Sequence, residues 1–335
     1  MFRRILIIGH SNIGDVCYDL IVVGQLRENF PQAKISFLTS HRAYDIARSC
    51  SGVDKIFLLD ALRGARGLAR QLKLIGLLRK ENFDVAVVLK RSLMHLFLGI
   101  PCSWSLTSAT RSVSLKSQQH SADRYLELLR AKGIKLHEAA VTFAISDEDN
   151  AFADNFLRHK GITADVLLVG ILPIAAWSLK SWPIARWNAL AAILKNRYGA
   201  CVIAFGKSSD DPFSRAVLQQ ISPGIISALD KTSLRQAMAL MKRCRLFIAP
   251  DSSLLHVASC MGIETIGLYG ATSPDCFYPY FHRQNVIVSK AKLECLPCCP
   301  GRGEIVCNKE FEPAPCMEAI SVEELDSAIR KILKL

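Results

Sequence analysis

The feature that most constrains this chain is an alternation that starts near the first residue, stops once, and starts again. Short apolar runs rich in β-branched residues lie at 4–9, 34–39, 55–59 and 84–90. Segments with helical periodicity separate them at 14–30, 41–48 and 63–80. A polar helical segment, 146–160, breaks the series, opened by Ser146 and Asp149 at N-cap spacing. Strands are then expected at 166–172, 201–205, 225–229, 245–249 and 265–270. Helices are expected at 185–197, 210–221, 233–242, 254–261 and, closing the chain, 321–335. Near-continuous apolar runs of this length suit strands covered on both faces. Strand–helix alternation builds doubly wound α/β sheets. The 335 residues therefore predict two Rossmann-like domains, 1–160 with a bridging helix and 161–335, facing a central cleft. Ligands of such sheets sit beyond the carboxyl ends of the strands.

Hydrophobic residues make up 50% and charged residues 21%, which excludes a disordered, collagenous or coiled-coil chain. The apolar runs at 85–89 and 96–100 fall short of the about 20 residues a membrane span needs. The apolar stretch at 5–8 is shorter than the about 7–15 residues of a signal-peptide core, so a cytoplasmic chain is expected. The net charge of +12 is uneven. Residues 63–135 hold 14 basic and 4 acidic side chains, a net of +10. Such a stretch is either a solvated face or a field for phosphates, anionic sugars or lipid headgroups. Arg63, Arg66, Arg70 and Lys73 recur on one helical face. Lys90 and Arg91 follow a strand's carboxyl end and are the better acceptor-binding candidates. No nucleic-acid recognition motif accompanies the charge.

Three loops can carry chemistry. In Gly9-His10-Ser11-Asn12-Ile13-Gly14-Asp15, glycines and a helix start let a ligand approach the backbone. Ser11 replaces the middle glycine of a dinucleotide fingerprint, and no acid follows the second strand; both oppose a nicotinamide site. Asp15 is either a first-turn acid favoured by the helix dipole or a general base. Lys180, in Lys180-Ser181-Trp182-Pro183, precedes a helix start and is either a surface lysine or a phosphate ligand. In Asp251-Ser252-Ser253-Leu254-Leu255-His256, a strand runs into a capped short helix whose free N–H groups can cradle a pyrophosphate. Capping alone would also explain Asp251 and Ser252, and core packing would explain His256. A small-residue loop, Gly270-Ala271-Thr272-Ser273-Pro274, ends the next strand.

Taken in order from residue 9 to 335, these blocks resemble the ADP-heptose:lipopolysaccharide heptosyltransferases, glycosyltransferase family 9. Trp187, Val257, Ala258, Tyr269 and the tail from Cys295 to Cys316 and Met317 add to the likeness. The resemblance implies a GT-B fold and an inverting glycosyltransferase that needs no metal for catalysis. It implies transfer of heptose from ADP-heptose to an anionic, lipid-linked inner-core acceptor, at the inner face of the cytoplasmic membrane. It implies Asp15 as base and Lys180 as the lysine that stabilises the leaving diphosphate. Donor contacts fall on Asp251, Ser252, Ser253, Leu254, His256, Gly270 and Thr272, with Asp210 at the ribose and Thr232 at the base. Acceptor contacts are expected at Asn12, Gly14, Arg63, Arg66, Lys90 and Arg91. Ser253 stands where the family carries glycine and Ala271 where it carries proline. Another nucleotide sugar, a protein acceptor or a non-catalytic nucleotide-binding relic are the alternatives.

Five of twelve cysteines crowd the tail, Cys295, Cys298, Cys299, Cys307 and Cys316. Thiolates at Cys295, Cys298, Cys307 and Cys316 would suit a structural zinc or iron ion. Free thiols, or a disulfide formed on oxidation, are the alternatives. An iron-holding cysteine finger is a feature of the related autotransporter heptosyltransferases.

Overall fold

The structure is a computed structural model that describes residues 2–59, 64–106, 119–296, 298, 307 and 314–335. The chain forms two compact units, Met1–Ala144 and Ile145–Leu335.

In the first unit the strands β1 (Arg4–Ile8), β2 (Lys34–Thr39), β3 (Lys55–Leu58), β4 (Val85–Val88) and β5 (Cys102–Ser105) form one parallel sheet in the order β3-β2-β1-β4-β5. The chain walks outward from β1 to β3, then returns to the other side of β1. That reversal places a topological switch point between β1 and β4, where Ile8 is in register with Val88. Ile5, Leu6, Ile7 and Ile8 are all fully buried, as strands covered on both faces require.

The second unit repeats the plan with six strands. They are β6 (Leu168–Ile171), β7 (Cys201–Ala204), β8 (Ile225–Ser227), β9 (Leu246–Pro250), β10 (Glu264–Tyr269) and β11 (Val286–Val288). Their order, β11-β10-β9-β6-β7-β8, sets a switch point between β6 and β9. Its core includes the edge-to-face pair Trp182 and Trp187, whose ring centroids are 4.8 Å apart. Trp182 donates its indole N–H to the Ile320 carbonyl, 3.0 Å away, and so ties the lysine-bearing loop to the approach of the closing helix Val322–Leu333.

The expected alternation is present, with three differences. The helix Asp147–His159 belongs with the second unit, so the division falls after Ala144, not at 160. Its Asp149 pairs with Arg235 and its Asp154 with Arg243, both at 2.8 Å, at either end of the helix Leu234–Met241. The strands β5 and β11 were not foreseen, because Cys102-Ser103-Trp104-Ser105 lacks β-branched residues and β11 is only three residues long. The helix Ser121–Ala131, capped by the His120 side chain, was also missed.

Candidate functional sites in the two units

In the second unit, the loops after β6 and β9 meet at the switch point. Lys180 ends a single 3-10 turn, Ser178–Lys180. The Ala175 amide donates to Ser181 Oγ at 3.0 Å, which fixes the loop around the lysine. Lys180 Nζ donates to Asp251 Oδ2 at 2.6 Å, across 71 residues of sequence. The same ammonium lies 4.8 Å from the centre of the Trp177 ring. The other Asp251 oxygen is 3.3 Å from His256 Nε2. Burial alone would raise the Asp251 pKa, but the hydrogen bond from His256 and the Lys180 charge outweigh it and hold the carboxyl at about 2.

Ser252 caps the helix Ser253–Cys260 by accepting from the Leu255 amide. Ser253 and Leu254, like Asp251 and Ser252, are half-buried at this helix start. The N–H groups of the first turn, which have no partner within the helix, face the end where Lys180 is held. His256 is buried, with Asp251 as one partner.

The remaining donor candidates are placed less uniformly. Gly270 is buried, and a Cβ there would lie 2.7 Å from Met317 Sδ and 2.9 Å from Cys316 Sγ, so close packing accounts for this glycine. Thr272 is also buried. Asp210 is almost fully exposed and pairs with Arg215 at 2.8 Å. Thr232 is half-buried just before Ser233, the cap of the next helix.

In the first unit, the corresponding point lies where β1 and β4 end. Asn12 is the N-cap residue of the helix Ile13–Asn29, and its side-chain amide donates to Asp15 Oδ2 at 3.2 Å. Arg42 reaches Asn12 Oδ1 at 3.4 Å. Asp15 and the preceding Gly14 are half-buried. Lys90 is half-buried one position past Leu89, whose amide donates to the Ile8 carbonyl at 3.1 Å. Burial pulls the Lys90 pKa down, and Asp19 opposes this. Arg91 is exposed. Arg63 lies outside the described residues; Arg66 lies in the helix Gly64–Arg79, with its side chain outside them.

Sequence reasoning missed one group here. His10 Nδ1 is 2.9 Å from Asp19 Oδ1, and the His10 amide donates to Asp19 Oδ2 at 2.6 Å. Asp19 is fully buried. Burial works against the imidazolium, but contact with Asp19 outweighs it, so His10 titrates above its ordinary value. Burial likewise pushes the Asp19 carboxyl up, against His10. The available signal was one acid inside the apolar run Val16-Cys17-Tyr18-Asp19-Leu20-Ile21-Val22-Val23.

The tail cysteines 295, 298, 307 and 316 lie in one neighbourhood. Burial pushes the Cys298 thiol up to about 11, with the charges of Cys295, Cys316 and Cys307 adding to it. Among the described residues, no three His, Cys, Asp or Glu side chains form a group that could hold a metal ion.

The profile of "Glycosyltransferase family 9 (heptosyltransferase)" matches residues 71–302. Lipopolysaccharide heptosyltransferase 2 of Escherichia coli (strain K12) is 25% identical over 308 residues, covering 85% of this chain and 87% of that protein. A glycosyl transferase family 9 structure from Veillonella parvula superposes with a TM-score of 0.79 at 20% identity, covering 99% of this chain and 97% of that one. The ADP-heptose lps heptosyltransferase II of E. coli gives a TM-score of 0.75 at 21% identity, over 99% and 98%. These likenesses make the fold GT-B. With a profile spanning most of its length, the chain belongs to glycosyltransferase family 9, the heptosyltransferase family.

Proposed function

We propose that this chain is an inverting glycosyltransferase that moves heptose from ADP-heptose to an anionic, lipid-linked acceptor of the lipopolysaccharide inner core. The observation that carries the reading is the Lys180–Asp251–His256 network, set against a capped helix start at the switch point of the second sheet. A lysine, a helix N-terminus and small polar side chains are what a diphosphate requires. The residues expected at Ser252, Ser253 and Leu254 line that helix start; Asp210, Thr232, Gly270 and Thr272 complete the proposed donor set. The second unit is thus read as the nucleotide-sugar domain and the first as the acceptor domain.

The reaction needs one in-line displacement at the anomeric carbon. Asp15 draws the proton from the acceptor hydroxyl as that oxygen bonds to the sugar. The bond from the sugar to the diphosphate breaks, and its electron pair leaves on ADP. Lys180 and the helix start stabilise the negative charge that develops there. Asn12, which donates to Asp15 Oδ2, orients that carboxylate in this reading. Gly14, Lys90, Arg91, Arg63 and Arg66 make up the proposed acceptor side.

A lipid-linked acceptor brings the first unit to a membrane surface. Among the described residues no helix is long and apolar enough to cross a membrane. The first unit does expose Leu68, Leu72, Leu93, Leu96 and Phe97, each by more than half, beside the exposed Arg70, Lys73 and Arg91. Apolar side chains among cations suit the headgroup region of an anionic bilayer. The four tail cysteines expected to hold a structural zinc or iron ion do not group as ligands among the described residues; metal analysis of the purified protein tests the point.

Ser253 and Ala271 favour a second reading, in which the same fold takes a different nucleotide sugar. Calorimetric titration with ADP, UDP, GDP and NAD in one buffer decides. Selective ADP binding that is lost in Lys180→Ala supports the ADP-sugar reading. Selective UDP or GDP binding overturns the heptose donor, and no binding at all overturns the enzyme.

A further inference from the structure

The turn that leads into the helix carrying Asp15 holds a second group able to take a proton. We propose that His10 and Asp19 act as one unit, with His10 Nε2 the place where the acceptor's proton comes to rest after each sugar transfer. The inference rests on the transferase reading above and adds two residues to it.

The geometry is that of an oriented imidazole. Asp19 binds both the His10 ring at Nδ1 (2.9 Å) and the His10 amide (2.6 Å), so ring and backbone are fixed by one carboxylate. With Nδ1–H donated to Asp19, the lone pair of the neutral ring lies on Nε2. Among the described residues, no side chain or backbone group hydrogen-bonds that nitrogen, and the His10 side chain keeps about a quarter of its surface exposed (23%). The His10 carbonyl is pinned as well, by Thr39 Oγ1 at 2.6 Å. A nitrogen base held by a buried carboxylate, with its other nitrogen open, is the arrangement that makes imidazole an efficient proton acceptor.

The fold goes to some length to keep this carboxylate where it is. A Cβ on Gly9 would lie 2.8 Å from Asp19 Oδ2 and 2.4 Å from Phe37 Cζ. Only glycine lets the turn close over the acid. A fully buried carboxylate is costly unless a partner compensates it, and its ring and amide contacts are both on His10.

The energetics run one way. An ordinary carboxylic acid gives up its proton at about pH 4 and an ordinary imidazolium at about 6.5. His10, raised above the ordinary imidazole value by its contact with Asp19, holds a proton more readily than a free imidazole does. Four ionisable groups surround His10. Asp19 and Asp15 both favour its charged form, Lys90 opposes it, and Tyr125 lies with its ring centroid 6.0 Å away. The atoms balance: the acceptor O–H bond breaks, its oxygen bonds to the anomeric carbon, ADP leaves with the electron pair, and the proton ends on Nε2 before it returns to water.

The test is the pH profile of kcat/KM for the full chain, beside NMR titration of the His10 ring. In the unaltered protein, activity rises as His10 loses its proton. His10→Gln is expected to remove that limb and lower kcat at neutral pH at least tenfold, with ADP affinity unchanged. Asp19→Asn is expected to move both the limb and the NMR midpoint of His10 to lower pH. His10→Gln sits on a part-exposed loop residue, so it keeps the test open should Asp19→Asn fail to fold. An unchanged profile and kcat in His10→Gln overturns the inference and leaves the transferase standing. An unaltered chain that turns over no nucleotide sugar overturns the transferase reading itself, and this inference with it.

Discussion

At the scale of single residues, the proposed reaction divides two jobs that a displacement needs. In that reading Asp15 handles a proton and Lys180 a leaving charge. Asp15→Asn should lower kcat by about 10²–10⁴, the usual worth of a general base, while calorimetry shows ADP binding intact. Near-normal turnover would remove Asp15 from its role. Asp251 makes a separate prediction. Its folded pKa of about 2 lies below the ordinary 3.8, so the pair with Lys180 and His256 stabilises the fold above pH 3.8. That contribution, about 2 kcal/mol, is lost as the pH falls toward 2. In acid denaturation followed by circular dichroism, Asp251→Asn should flatten the loss over this range; an unaltered slope would show that the pair does not hold the fold.

At the scale of elements, the alternation was legible because strands buried on both faces must be apolar along their whole length, as Ile5 to Ile8 are. Caps were legible too: Ser146 accepts from the Asp149 amide at 3.2 Å, as its spacing predicted. What escaped was a pairing set by three dimensions. Nothing in the nine-residue spacing from His10 to Asp19 announces a contact; the turn after β1 creates it. Gly9→Ala should cost about 1–3 kcal/mol through overpacking, read as a fall in Tm, and should release His10 from Asp19 in an NMR titration. An unchanged His10 titration would mean the turn adapts around the new methyl. The helix Gly64–Arg79 offers another test. Leu68 and Leu72 lie one turn apart on one face, and Arg79, on the same face, donates to the Phe97 carbonyl at 2.8 Å. Flotation with vesicles rich in anionic lipid should carry the protein upward. Binding should weaken with added salt and in Leu68→Ser with Leu72→Ser. Binding indifferent to both changes would count against this face.

At the scale of the whole molecule, the two sheets share one topological device. Each reverses its strand order beside the strand that opens it, and each holds a carboxylate bonded to a cationic or imidazole partner near that reversal. That there are two units was readable from the restart of the pattern near residue 166. The exact seam was not, because the helix Asp147–His159 takes its side from two ion pairs with distant arginines. If donor binding belongs to the second unit, ADP should slow amide hydrogen exchange around Lys180 and the start of the helix Ser253–Cys260. The loop from Gly9 to Asp15 should exchange as before. Equal slowing in both units would contradict a donor site built in one.

The Lys180–Asp251 contact also bears on what the protein ignores. A bare lysine beside a helix start would be a standing trap for every small anion in solution. Here the ammonium is already engaged by an aspartate at 2.6 Å, so a newcomer must displace a partner that never diffuses away. On the proposed donor reading, a diphosphate that engages the helix start as well as the lysine has more to offer in that exchange than orthophosphate or sulfate. Selectivity would then begin before any sugar is recognised.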